Sequence, residues 1–245
     1  MGNNYSTPSA SLVNTTGNPD ALQAGIAGDY QLAIGDVISE AWQRTKGIKR
    51  YVLGAGILLY ILMFVFIMIL GVIMALTGQT GEEISAASVV LQFVVQIALM
   101  AVILPFVGGI FIMCIKHIQG HQVSFGDLFS CLGKTGSLLI TAILMNIMIF
   151  IGFMLFVLPG IYLSVAYILT VPLVVDRGLG PWEALEASRK AITKKWFTVL
   201  GFYLVLLVIM VVSMIPLGLG LIWTIPMMAV AFAILYRQVF GIESY

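Results

Sequence analysis

The chain has 245 residues, of which 60% are apolar and only 9% are Asp, Glu, Lys or Arg. A soluble domain carries roughly a quarter charged residues, or about 60 in a chain of this length; here there are 23, 12 basic and 11 acidic. That composition excludes an ordinary soluble domain and is the opposite of a disordered chain, and basic residues this few and scattered exclude a nucleic-acid-binding surface.

In chain order, residues 1–30 are rich in Ser, Thr, Asn, Gly and Ala and lack periodicity, so they read as a flexible cytoplasmic tail ahead of a membrane domain over 31–245. No basic region followed by an apolar stretch opens the chain, and no cleavable signal peptide is expected. The Met1-Gly2 opening fits a myristoylation pattern, but a chain with several spans needs no such anchor. The four stretches 51–81, 84–115, 135–175 and 196–236 contain no charged residue and are 31, 32, 41 and 41 residues long. A helix needs about 20 apolar residues to cross a bilayer, so the first two stretches each hold one span. A 41-residue helix would be about twice as long as needed. Leu158-Pro159-Gly160 and Ile215-Pro216-Leu217-Gly218 therefore read as turns that fold the last two stretches into hairpins. The expected spans are 51–77, 87–115, 136–158, 160–175, 196–215 and 218–236, the fourth short enough to be tilted or partly re-entrant. With six spans, all 12 Lys and Arg fall on one side, which the positive-inside rule makes cytoplasmic together with both termini.

Three stretches resemble one another. Ile34–Trp42, Phe125–Leu132 and Pro181–Ser188 each set an acidic residue near the start of an amphipathic run and stand ahead of a plain span. Phe125, Leu128, Phe129 and Leu132 follow helical spacing, and Ser124 with Asp127 is a capping-box pattern. In the third stretch Pro181 suits a first helical position, Trp182, Leu185, Ile192 and Trp196 lie on one stripe, and Glu186 is spaced to pair with Arg189 and Lys190. The even-numbered spans each carry a proline, at Pro105, Pro172 and Pro226. The expected fold class is all-α: a polytopic membrane protein of six transmembrane helices and three interfacial amphipathic helices, built as a threefold internal repeat.

Leu158-Pro159-Gly160-Ile161-Tyr162, Thr170-Val171-Pro172-Leu173-Val174-Val175-Asp176-Arg177-Gly178 and Glu183-Ala184-Leu185-Glu186-Ala187-Ser188-Arg189 form a run that resembles a group of uncharacterised bacterial six-helix inner-membrane proteins. The same segment is similar to the membrane domain that some bacteria fuse to glycerophosphodiester phosphodiesterase. The resemblance implies a bacterial inner membrane and a six-helix fold. It implies no phosphodiesterase activity, because the catalytic domain of those fusions has no counterpart in this sequence.

No P-loop, dinucleotide fingerprint, zincin motif or nucleophile elbow occurs. Cys114, His117 and His121, with Asp127 and Cys131 further on, have ligand chemistry, yet Gly120 is expected to end the helix before His121, and an incidental loop histidine is the plainer reading. No metal or other cofactor is expected. The polar residues inside spans are chiefly Gln92 and Gln96, one turn apart, and Asn146. They form a candidate intramembrane cluster whose commoner use is interhelical hydrogen bonding. No Asp, Glu, Lys, Arg or His lies inside an expected span, which argues against an ion-coupled transporter. The expected function is non-catalytic: a scaffold, regulatory or envelope-homeostasis protein whose partners are membrane lipids and other membrane subunits. The alternative is a passive or facilitated carrier of a lipid or small amphiphile.

Overall fold

The computed structural model of the chain describes residues 19–76 and 86–242. Its helices are α1 (Pro19–Ala27), α2 (Ile34–Leu76), α3 (Ala86–Ile118), α4 (Thr135–Leu155), α5 (Val157–Ala166), α6 (Thr170–Asp176), α7 (Pro181–Lys194), α8 (Trp196–Met214) and α9 (Leu221–Phe240). Two 3-10 turns, Phe125–Phe129 and Leu132–Lys134, lead into α4. Among the described residues six stretches are long and apolar enough to cross a membrane, and the chain is an all-α polytopic membrane protein.

The breaks between spans differ from the sequence expectation in an instructive way. The α4–α5 turn falls at Phe156, whose backbone is extended (φ −171, ψ 155), rather than at Pro159-Gly160. Pro159 is the third residue of α5, a position where the missing N–H has no intrahelical partner to lose. Gly160 instead serves the hairpin, since a Cβ there would overlap the Phe153 ring. The fourth span, expected as one helix over 160–175, is two, α5 and α6, separated at Tyr167–Leu169. Pro172 explains the break, because it offers no N–H to the carbonyl of Ile168 one turn back. The last hairpin turns through Leu217 (φ 53) and Gly218 (φ 77), so α8 stops at Met214 and α9 starts at Leu221, not at 215 and 218.

Ser188 on α7 repairs the α5–α6 break. Its fully buried hydroxyl donates to the Ala166 carbonyl at 2.7 Å and accepts from the Leu169 N–H at 3.2 Å. Ser188→Ala leaves both backbone groups unpaired away from water and is expected to cost about 1–3 kcal/mol, read as a lower midpoint in denaturant titration of the solubilised protein. Ser188→Thr keeps the hydroxyl and separates loss of the bonds from loss of space.

The core lies at one end of the molecule. Its largest fully buried side chains include Met113 and Ile115 of α3, Leu169 and Leu173 around α6, Ile192 of α7, Phe202 of α8, and Tyr236 and Phe240 of α9. Away from that end the helices bare large apolar side chains: Ile57 to Val72 on α2, Val89 to Ile97 on α3, Ile140 to Leu158 across the α4–α5 hairpin, and Leu204 to Ile225 across the α8–α9 hairpin. Such a surface suits hydrocarbon and not water. Of the six spans, the one formed by α9 is the most covered by protein, 56% of its apolar window against 11% for that of α2.

Two expectations at the charged end are corrected. The segment to residue 30 is not all tail: α1 packs on α7 and α9, its Gly25 lies against the Val239 carbonyl and the Phe240 ring, and Tyr30 is buried. Residues 1–18 lie outside the described residues. Nor are the three amphipathic runs alike. The first forms the front of α2, which kinks at Lys46-Gly47 (Gly47 φ 97). Glu40 reaches Arg237 while Lys49 reaches Trp223, so this stretch of α2 runs antiparallel beside α9. The second is the pair of 3-10 turns, with Leu128 buried but Phe125, Phe129 and Leu132 about half exposed. The third, α7, is the expected helix with Pro181 leading. Its buried face is Ala184, Leu185, Ala187, Ser188, Ala191 and Ile192, and Trp182 lies off it at 61% exposure.

Candidate functional site at the convergence of the proline-bearing helices

The three proline-bearing spans, α3, α5–α6 and α9, meet near their C-terminal ends. Tyr236 of α9 stacks edge-on against Phe111 of α3 (5.3 Å between ring centres) and donates its hydroxyl to Asp176 Oδ2 of α6 at 2.7 Å. Gly108 lets α3 approach Val175 and Cys131 closely, and Gly109 lies against the backbone of Leu128.

A helix C-terminus carries unpaired carbonyls and a partial negative charge. At this end each of the three spans receives a cation. Arg44 Nη1 donates to Ile118 O of α3 at 2.9 Å, Lys134 Nζ to Val175 O of α6 at 2.6 Å, and Arg177 Nη2 to Phe240 O of α9 at 2.6 Å. Carboxylates tie the cations together. Glu40 bridges Arg44 and Arg237, each at 2.6 Å, and Lys116 pairs with Asp127 at 2.5 Å. The side chains of Asp176 and Arg177 are nearly inaccessible, 3.8 Å apart. On α7, Glu186 binds Arg189 at 2.8 Å and Lys190 at 3.3 Å, the pairing read from the sequence. The hydrogen bond from Arg189 holds the Glu186 carboxyl below its ordinary range.

Tyr30 closes this layer. Its hydroxyl donates to the Ala191 carbonyl at 3.1 Å, and the Lys195 ammonium binds the Tyr30 carbonyl. Burial pushes the phenol up from 10.0 to about 12. The folded state then keeps a proton that the unfolded state has lost, so this contribution to stability is whole below pH 10.0 and disappears as pH rises towards about 12. Amide exchange in Ala21–Ala27 is expected to accelerate across that window, and Tyr30→Phe is expected to remove this part of the pH dependence.

The residues singled out in the sequence sit elsewhere. Gln92 and Gln96 on α3 and Asn146 on α4 are all exposed, on the apolar part of the molecule. Asn146 Nδ2 donates within its own helix to Ala142 O at 2.8 Å, and among the described residues no hydrogen bond joins it to either glutamine. Of the candidate ligands, Cys114 and Cys131 are buried free thiols, His121 is exposed, and the His117 ring meets the Arg44 carbonyl at 2.7 Å through Nε2. Among the described residues no three His, Cys, Asp or Glu gather as a metal site.

Sequence reasoning missed Asp176, Arg177, Tyr236 and Ser188. A signal for the first was present: Asp176 ends a helix, where a carboxylate opposes the dipole, so it needs compensating partners from elsewhere in the fold.

An open groove of about 490 Å³ lies between the front of α2 and the α8–α9 hairpin, lined by Gly35, Ile38, Ser39, Trp42, Gln43, Ile209 and Met227. A second, of about 480 Å³, lies at the α2 kink, lined by Gly47, Lys49, Arg50 and Leu53.

No family model matches the chain, and no solved structure matches it. It is similar to an uncharacterised protein of Mycobacterium bovis and to one of Mycobacterium tuberculosis. Each is 25% identical over 225 residues, covering 85% of this chain and 69% of the relative.

Proposed function

We propose that this multi-pass membrane protein is a non-catalytic scaffold or regulator of the bacterial inner membrane, with the charged end in the cytoplasm. The observation that carries the proposal is the convergent layer itself. Its buried and half-buried ionic groups are engaged in capping helix ends and in pairing with one another, which makes a rigid platform and not a set of free acids, bases or nucleophiles. Large apolar side chains at its margin, Trp182 and Phe197, are exposed and available to a partner. The bacterial relatives support the membrane proposed.

The test is photocrosslinking in cells from a photoreactive phenylalanine at Trp182. A discrete protein adduct supports the scaffold; adducts with lipid alone count against it. One observation favours the second reading, a carrier of a lipid or small amphiphile: the first groove has the size of a small-molecule site and a mixed lining. Phospholipid scrambling in reconstituted vesicles, stopped by Ile38→Trp in that groove, would replace the scaffold with the carrier.

A further inference from the structure

The twelve basic residues are not equally engaged. Arg44, Lys116, Arg177, Arg189, Lys190 and Arg237 have carboxylate partners, and Lys134 and Lys195 bind backbone carbonyls. Of the remaining four, Lys46, Lys49 and Arg50 lie within five residues at the kink of α2, and Lys194 stands apart on α7. Three of the four cations that have neither a carboxylate nor a backbone carbonyl partner among the described residues therefore gather at one place, beside the second groove.

Aromatic rings order two of the three cations. The Lys49 ammonium lies 4.0 Å from the centre of the Trp223 ring, and the Arg50 guanidinium lies 4.7 Å from that of Tyr51, whose hydroxyl Arg50 also meets at 2.9 Å. Lys46 is exposed and has no partner among the described residues. The non-helical backbone at Lys46 and Gly47 starts a fresh helix at Ile48, which adds the positive end of a helix dipole to the same spot. Directly beyond it α2 turns apolar, and Ile57, Tyr60, Ile61 and Phe64 are at least half exposed along the helix.

We infer that the α2 kink binds the headgroup of an anionic glycerophospholipid, the phosphate meeting Lys46, Lys49 and Arg50 and the acyl chains lying along the exposed face of Ile57 to Phe64. A phosphodiester supplies the missing negative charge, and flanking Tyr and Trp rings suit the headgroup layer. A lipid fits better than a free phosphate because the basic groove continues into an apolar surface that only acyl chains would cover. The site does not depend on the scaffold reading.

The experiment is native mass spectrometry of the solubilised full chain titrated with phosphatidylglycerol, phosphatidylcholine or inorganic phosphate. Phosphatidylglycerol is expected to bind in preference to phosphatidylcholine and to resist displacement by inorganic phosphate. Lys46→Gln is expected to weaken it about fivefold. The combined K46Q, K49Q and R50Q variant is expected to bind the two lipids alike, and Lys194→Gln to match the unmodified protein. Equal binding of phosphatidylglycerol by the combined variant and the unmodified protein overturns the site, as does absence of lipid preference. Displacement by inorganic phosphate overturns the lipid in favour of an ion. If the combined variant loses helicity, Lys46→Gln alone decides, since that side chain is exposed and holds no contact the fold needs.

Discussion

Replacing Asp176 with alanine is expected to destabilise the fold by about 3–5 kcal/mol, the largest effect of any single polar substitution in the chain. The Asp176 side chain is fully inaccessible and accepts a 2.7 Å hydrogen bond from Tyr236, while the neighbouring Arg177 side chain is 6% exposed. Removing the carboxylate leaves a buried guanidinium without its counter-charge and a buried phenol without its acceptor. The penalty comes from stranding those groups, not from the pair's intrinsic strength. Tyr236→Phe removes only the hydroxyl and should cost less, about 1.5–3 kcal/mol, the usual worth of a hydrogen bond to a charged group. Tyr236→Phe added to Asp176→Ala is expected to cost little more, because the two side chains share one interaction. Denaturant titration of the four proteins measures this cycle, and additive costs would show that the contact is not the source.

Gly109→Ala is expected to be the second severe substitution. Alanine is favoured over glycine in a helix by about 0.8–1 kcal/mol, so the change would stabilise α3 if the site were open. It is not open. A Cβ on Gly109 would overlap the carbonyl oxygen and carbon of Leu128 and stand 2.8 Å from its Cα. These are backbone atoms of the first 3-10 turn, which cannot swing aside as a flexible side chain can. Overpacking of this kind costs about 1–3 kcal/mol or more, enough to outweigh the helix preference. Gly56→Ala on α2 is the control: no atom lies within 4 Å of a Cβ there, and the expected sign is reversed. Thermal melts should move down for the first variant and not down for the second.

The parts of the fold legible in the sequence are those fixed by local chemistry. Uncharged stretches of 31, 32, 41 and 41 residues resolve into two single spans and two hairpins. Pro181 opens α7, and Glu186 pairs with the cations three and four residues on. Proline position proved harder to read, because the same residue breaks a helix interior and is harmless in a first turn. That ambiguity put the α4–α5 break three residues late, at Pro159 instead of Phe156. α1 was hard to read because it is short and its packing face mixes small residues, Ala21 and Gly25, with only two larger ones, Leu22 and Ile26; its signals were Pro19 at the start and Gly28 (φ 89) at the end. The convergent layer was the least legible part. Arg44 with Ile118, Lys134 with Val175 and Arg177 with Phe240 are 74, 41 and 63 residues apart, and no local pattern reports such partners. The prolines did mark the helices involved, since the three spans that meet there are those with Pro105, Pro172 and Pro226.

On the proposed topology the capped C-terminal ends of α3, α6 and α9 occupy one side of the membrane and the hairpin turns at Phe156 and Leu217 the other. Accessibility of single cysteines to a membrane-impermeant maleimide in sealed, right-side-out vesicles tests it directly, and the native Cys114 and Cys131 contribute little background because both are buried. Phe156→Cys and Leu217→Cys, at turns where those side chains are 66% and 96% exposed, are expected to label from outside. Gln43→Cys and Lys194→Cys, exposed at the charged end, are expected to label only after the vesicles are opened. Labelling of all four from the same face would contradict the six-span arrangement.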